Sequence, residues 1–173
     1  QIKQMTGSTD QDFELDSIAL AAFCAKTTAT EYIHNLNNWG LYSTQMNIFF
    51  EKYDLYLTPT TASVAPKNGE IATPAWQKPI LKGLLKLGKA HYLAQGKLVE
   101  KMVQDNLSWV PFTQLANVTG LPAMSVPLYW NKHGLPLGSQ FIAPFGREDR
   151  LLQLAAQLEQ AQPWMPQYKK ISL

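Results

Sequence analysis

Eight serines, three histidines and one cysteine are the side chains from which nucleophilic or metal chemistry could be built in this sequence. The serines are Ser8, Ser17, Ser43, Ser63, Ser108, Ser125, Ser139 and Ser172; no two are adjacent and none stands in a glycine-rich loop. A serine nucleophile needs a base within hydrogen-bond reach and donors aimed at the developing oxyanion. The Gly-x-Ser-x-Gly turn that presents one on a strand-to-helix corner is absent. Ser125, between Met124 and Val126 in an expected strand, reads as a packed strand residue rather than a nucleophile. An independent hydrolase using Ser125 with a histidine is the weakest of the readings open to this chain. His34, His91 and His133 fall on an expected helix end, a helix and a hairpin turn, and share no ligand spacing, so no metal and no cofactor is expected. Cys24, alone, excludes an internal disulfide and is expected to be a small buried hydrophobe. Lys82, Lys86 and Lys89 lie on one helical face opposite Leu81, Leu84 and Leu85. A solvated face over a core stripe is preferred there to a membrane-facing or acid-binding one, with a lid over a substrate entrance as a third reading.

The elements that would position these groups follow from periodicity and stop signals. Thr9-Asp10-Gln11-Asp12 resembles a helix start. Leu15, Ala19, Ala22, Ala29, Ile33 and Leu36 recur near helical period, which predicts one long core helix ending around Asn37-Asn38-Trp39-Gly40. A second helix is expected over Leu41 to Phe50, then a strand over Asp54 to Thr58 stopped by Pro59. Residues 59 to 79 read as an unusually long loop. Pro79 is placed to open a helix running to about Asp105, with a break near Gly88 or Gly96. Pro111 opens a short helix ended by Gly120; Ala123 to Tyr129 and Leu137 to Ile142 form a hairpin around Asn131-Lys132-His133-Gly134. Glu148 and Asp149 start a last helix with Leu151, Leu154, Ala155 and Leu158 as its stripe, ended by Pro163. A few strands among several helices predict an α/β layer whose small sheet has edges to hide.

Composition narrows the class. A length of 173 residues suits one domain, and 46% apolar with only 16% charged residues suits a globular chain whose surface is partly an interface. A net charge of +2 is too small for a nucleic-acid binder. No apolar run approaches the roughly 20 residues a membrane span needs. The lone cysteine leans towards a cytoplasmic location.

Three blocks, in order, resemble the amidase signature family. They are Phe49-Phe50-Glu51-Lys52-Tyr53-Asp54-Leu55-Tyr56-Leu57-Thr58-Pro59-Thr60, then the run from Pro111 through Asn117-Val118-Thr119-Gly120-Leu121-Pro122 to Pro127, then Gly134-Leu135-Pro136-Leu137-Gly138-Ser139-Gln140 through Gly146. Bacterial amidases acting on linear or cyclic amides and oligoamides are the most similar members. The resemblance is weakest from Pro66 to Ser108, which reads as the family's variable insert (about 66–108).

The resemblance implies a mixed β-sheet covered by helices, of which this chain would be the C-terminal portion, with a few strands and several helices. It also implies carbon–nitrogen bond hydrolysis by a serine nucleophile, a second serine in a cis peptide and a lysine base. That centre would lie upstream of the region resembling Gln1, so no catalytic residue is carried over and the chain alone is expected to be inactive. Val110, Phe112, Thr113 and Asn117 are the candidate substrate-pocket residues, with an equal alternative in which Phe112 packs and Asn117 caps the turn before Gly120. Trp76, Tyr92 and Trp109 are the candidate lid residues, with core packing as the equal alternative for each. The implied partners are the missing N-terminal catalytic part of the same polypeptide and a small-molecule amide. The rival reading is a stand-alone binding or assembly module derived from an amidase, acting as a homodimer.

Overall fold

Local capping decides where the first helices start. In the computed structural model, which describes residues 5–9, 12–25, 27–71, 74, 76–87, 103–105 and 107–168, Thr9 donates its backbone N–H and its hydroxyl to the Asp12 carboxylate at 2.7 and 3.0 Å. That closes a turn, and helix α1 begins only at Leu15–Cys24. The single long helix expected from residue 15 is instead two, because Thr28-Ala29-Thr30-Glu31 is a capping box. The Thr28 N–H donates to Glu31 Oε2 at 2.8 Å and the Glu31 N–H donates back to Thr28 Oγ1 at 3.2 Å. Helix α2, Ala29–Phe50, starts there and runs straight through Asn37 to Gly40, where an end was expected. A helical Gly costs only about 1 kcal/mol relative to Ala. The packing of Met46, Phe49 and Phe50 further along outweighs it. His34 consequently sits within a helix, on its exposed side. Cys24 is exposed, not buried, because it is the last residue of α1, where the chain turns away through Thr27.

The described structure divides into two units, residues 1–32 with 68–105 and residues 33–67 with 106–173. In the first, α1 packs against α3, Gln77–Lys86. Ala19 and Leu81 are their buried residues, Leu84 and Leu85 are half-buried, and Lys82 and Lys86 are exposed, so α3 has the expected amphipathic layout. It starts two residues before Pro79, which its first turn tolerates. It ends at Lys86 with Leu87 as its cap, close to one of the expected breaks. Lys89, His91 and Tyr92 lie outside the described residues.

The second unit carries the sheet. Strands β1, Tyr56–Pro59, β2, Ala123–Trp130, and β3, Pro136–Ile142, are antiparallel in the order β1-β3-β2. This is the α/β layer expected from the sequence. β1 begins two residues later than expected and includes Pro59, which an edge strand accommodates. Asn131 fixes the β2–β3 turn: its Oδ1 accepts from the N–H groups of His133 and Leu135, both at 2.9 Å, and Gly134 takes φ 76°. Helix α4, Thr113–Thr119, ends at Gly120 with φ 69°, the left-handed cap that its glycine allows. Helix α5, Glu148–Ala161, and the short α6, Met165–Tyr168, complete the unit.

Strand alternation splits the core in two. On one face Val126, Phe141, Ala143 and Leu151 form a buried cluster with Met124, Leu128, Leu154 and Leu158, closed by α5. On the other, Ile142 is fully buried with Leu121 and Met46, backed by Phe49, Tyr56, Leu115 and Ala116 from α2, β1 and α4. Among the described residues no helix is long and apolar enough to cross a membrane.

Candidate functional site: the polar strip beside the Thr-Pro-Thr strand

Beyond Ile142 the second sheet face turns from apolar to polar. Register places Thr58 and Ser125 on either side of Gln140, all three on the Ile142 face. Thr58 and Gln140 are buried, whereas Ser125 is exposed. The expectation that Ser125 is a packed residue is therefore corrected: it is exposed, on β2, which among the described strands pairs only with β3.

The next row holds Thr60 and Gly138. Thr60 donates its N–H to the Gly138 carbonyl at 2.8 Å, and the Thr60 and Ser125 hydroxyls share a hydrogen bond of 2.5 Å. A Cβ on Gly138 would collide with the Ser125 hydroxyl and lie 2.6 Å from Thr60 Oγ1. This glycine is thus required by the closeness of the two hydroxyls. Opposite it, the β2–β3 register shifts between Val126 and Tyr129, a bulge that also absorbs Pro127, which has no N–H to donate.

The segment before α4 runs along this strip. Ala62 donates its N–H to the Trp109 carbonyl at 2.9 Å. Gln140 Nε2 lies 3.4 Å from both the Phe112 carbonyl and Thr58 Oγ1, long contacts for hydrogen bonds. Thr113 Oγ1 donates to the Val110 carbonyl at 3.3 Å. Of the expected pocket residues, Val110 and Thr113 are half-buried, while the side chains of Phe112 and Asn117 are exposed. The structure thus brings the Phe112 carbonyl to Gln140 on β3 and the Trp109 carbonyl to Ala62, just past β1. Trp76 is exposed, at the N-terminus of α3 in the other unit.

Thr58, Thr60, Gly138 and Gln140 were not singled out as site residues by sequence reasoning. A signal existed, since Thr58 and Thr60 flank Pro59 and Gly138 and Gln140 flank Ser139, each pair separated by one residue and so sharing a face in a strand. What the sequence lacked was the register that joins the two pairs.

Charge plays its part away from this strip. Arg147 and Asp149 form a bidentate pair, with Nε–Oδ1 2.8 Å and Nη2–Oδ2 2.9 Å. The Arg147 guanidinium holds the Asp149 carboxyl down to about 2. Arg150 Nη1 reaches Asp54 Oδ1 at 2.8 Å, tying α5 to the residues before β1. Among the described residues no three His, Cys, Asp or Glu side chains gather as a metal site would require.

Comparison with known proteins gives this geometry a family. The amidase family model matches residues 17–152. A Mycobacterium leprae protein bearing the name amidase AmiC is 39% identical over 117 residues, which is 67% of this chain and 20% of that protein. The 6-aminohexanoate-cyclic-dimer hydrolase of Pseudomonas sp. (strain NK87) is 31% identical over 158 residues, 91% of this chain and 29% of the relative. A solved structure of 6-aminohexanoate cyclic dimer hydrolase complexed with substrate superposes with a TM-score of 0.66 at 30% identity, covering 91% of this chain and 30% of that one. The chain therefore spans less than a third of the length of these relatives. The Thr-Pro-Thr strand, the hairpin with Gly138 and Gln140 and most of the helices around them fall inside the matched residues, and the chain belongs to the amidase signature family.

Proposed function

We propose that this chain is the C-terminal portion of an amidase that hydrolyses the carbon–nitrogen bond of a small-molecule amide, with its Ser–Ser–Lys centre in polypeptide outside these residues. The observation that carries this reading is the lopsided match: relatives align with most of this chain, yet 20% to 30% of their own length is covered. The serine inventory supports it, because a serine pair between glycines is absent from these 173 residues. Alone, the chain would then be inactive. Its work would be to complete a sheet and one wall of a pocket, with Val110, Phe112, Thr113 and Asn117 towards the substrate. Trp76, Tyr92 and Trp109, in or next to an insert of about residues 66–108, would act as a lid. The relative named as a cyclic-dimer hydrolase favours linear or cyclic amides as the substrate class. A serine-directed fluorophosphonate probe tests the division of labour: the isolated chain should remain unlabelled, and covalent labelling would overturn it.

A second reading, a non-catalytic assembly module acting as a homodimer, draws support from surfaces this chain leaves open. Ile33, Leu41, Tyr42 and Ile48 of α2 are each at least half exposed. Among the described strands, β1 and β2 each pair on one side only. Sedimentation showing a monodisperse monomer would remove this reading.

A further inference from the structure

The sequence holds eight asparagines, and Asn68 is the one followed by glycine. The structure sets it apart from the others as well. Asn35, Asn37, Asn38 and Asn47 lie inside α2 and Asn117 inside α4. There the helix fixes the backbone, and the N–H of the following residue is directed at a carbonyl four residues back. Asn131 is held in the hairpin turn, where its Oδ1 accepts from the His133 and Leu135 N–H groups and a bulky Lys132 follows it. Asn106 lies outside the described residues and precedes Leu107. Asn68 and Gly69, by contrast, are both exposed and lie in a turn. None of the described residues between Pro59 and Gln77 belongs to a helix or strand. Gly69 takes φ 84°, a left-handed value that its missing side chain allows, and the place a Cβ would fill has no neighbour within 4 Å. The main-chain nitrogen of residue 69 is thus uncrowded on the side where any other residue would carry its side chain.

We propose that Asn68-Gly69 is a modification site of this chain, at which the asparagine deamidates through a cyclic imide. The Gly69 nitrogen gives its proton to solvent base and attacks Asn68 Cγ. The Cγ–Nδ2 bond breaks and ammonia leaves, which closes a five-membered succinimide. Attacker and target belong to adjacent residues, so the step has the advantage of an intramolecular reaction. Water then opens the ring. Attack at Cγ gives aspartate, and attack at the Asn68 main-chain carbonyl carbon gives isoaspartate, with the chain continuing through Cγ. One water enters and one ammonia leaves, with no oxidant, reductant or cofactor. Either product adds a negative charge two residues before Glu70. Isoaspartate also lengthens the main chain by one carbon, at the point where it passes from residues 33–67 of one unit to residues 68–105 of the other. The proposal is independent of the amidase reading, because the reaction needs only this chain and water.

The test is to hold the purified chain in warm, mildly alkaline buffer and follow its peptides by mass spectrometry. The peptide carrying Asn68 should give way to two products heavier by about 1 Da, with isoaspartate exceeding aspartate. The peptide carrying Asn131 should persist over the same time. Asn68→Gln, at an exposed position, should abolish the change, because its longer side chain would have to close a six-membered ring. A synthetic peptide spanning residues 64–71 supplies the reference rate. The folded chain should convert within about tenfold of that peptide, since a tenfold difference corresponds to a barrier of only about 1.4 kcal/mol. Conversion of the peptide without conversion of the chain overturns the site, because the folded turn would then withhold the nitrogen. Aspartate as the sole product overturns the cyclic route in favour of direct hydrolysis. Loss of Asn131 as fast as Asn68 overturns the contrast on which the proposal stands.

Discussion

The two faces of one three-stranded sheet have different fates. On the α5 face Val126, Phe141 and Leu151 close into an apolar cluster made within this chain. On the other, apolar packing stops after Ile142, and the rows carrying Thr58, Gln140, Ser125, Thr60 and Gly138 are polar and partly open. The same strand, β3, supplies both, because successive side chains point to opposite sides. The difference teaches that stability and recognition can be assigned to alternate residues of one strand. Substitutions one position apart should then have unlike consequences.

The largest effect is expected from Phe141→Ala, which empties the centre of the closed face and should cost about 3–5 kcal/mol in urea unfolding. Leu151→Ala, removing the α5 side of that cluster, should cost about 2–5 kcal/mol. If either left the urea midpoint unmoved, the α5 face would not be the stabilising one. On the open face Gly138→Ala should cost about 1–3 kcal/mol, because its Cβ meets the Ser125 and Thr60 hydroxyls. Adding Ser125→Ala should recover part of that loss, since one of the two obstructing oxygens is gone. Ser125→Ala alone should fall within about 0.5 kcal/mol of the parent, as an exposed position without an apolar role. A large loss there would erase the contrast between the faces.

The smallest effect concerns acid. Asp149 is exposed, but the Arg147 hydrogen bonds hold its carboxyl down to about 2. A depressed carboxylate contributes stability that is present above its ordinary range and lost as pH falls towards 2. Acid unfolding of the parent and Asp149→Asn should therefore differ slightly at neutral pH and converge at the acid end, with screening by solvent keeping the gap small.

Much of this fold was legible in advance because the signals are local. The hairpin turn, the left-handed Gly120 and the stripe of α5 each depend on residues a few positions apart. The break between α1 and α2 was legible too, in Thr28 and Glu31, but apolar periodicity running across it concealed the box. The end expected at Gly40 failed for the opposite reason: a weak local stop was overridden by packing at Met46 and Phe49. For the site, the Phe112 carbonyl, inside the stretch from Val110 to Asn117 that the sequence singles out, lies 3.4 Å from Gln140 Nε2. The polar strip itself comes from residues 58, 60, 125, 138 and 140, which are far apart in sequence.

The sequence by itself determined the family, through three ordered blocks, and the absence of a serine pair between glycines. It also determined which residues alternate on each strand, since a period of two needs no partner to be read. Only the tertiary structure decided which strand lies beside which, and so which alternating residues meet. Register is fixed by long-range packing and turn geometry together, and a shift of one residue would have sent Gln140 to the α5 face. That is why Ser125 looked like a packed strand residue in one dimension and stands exposed, in three, beside the buried Gln140.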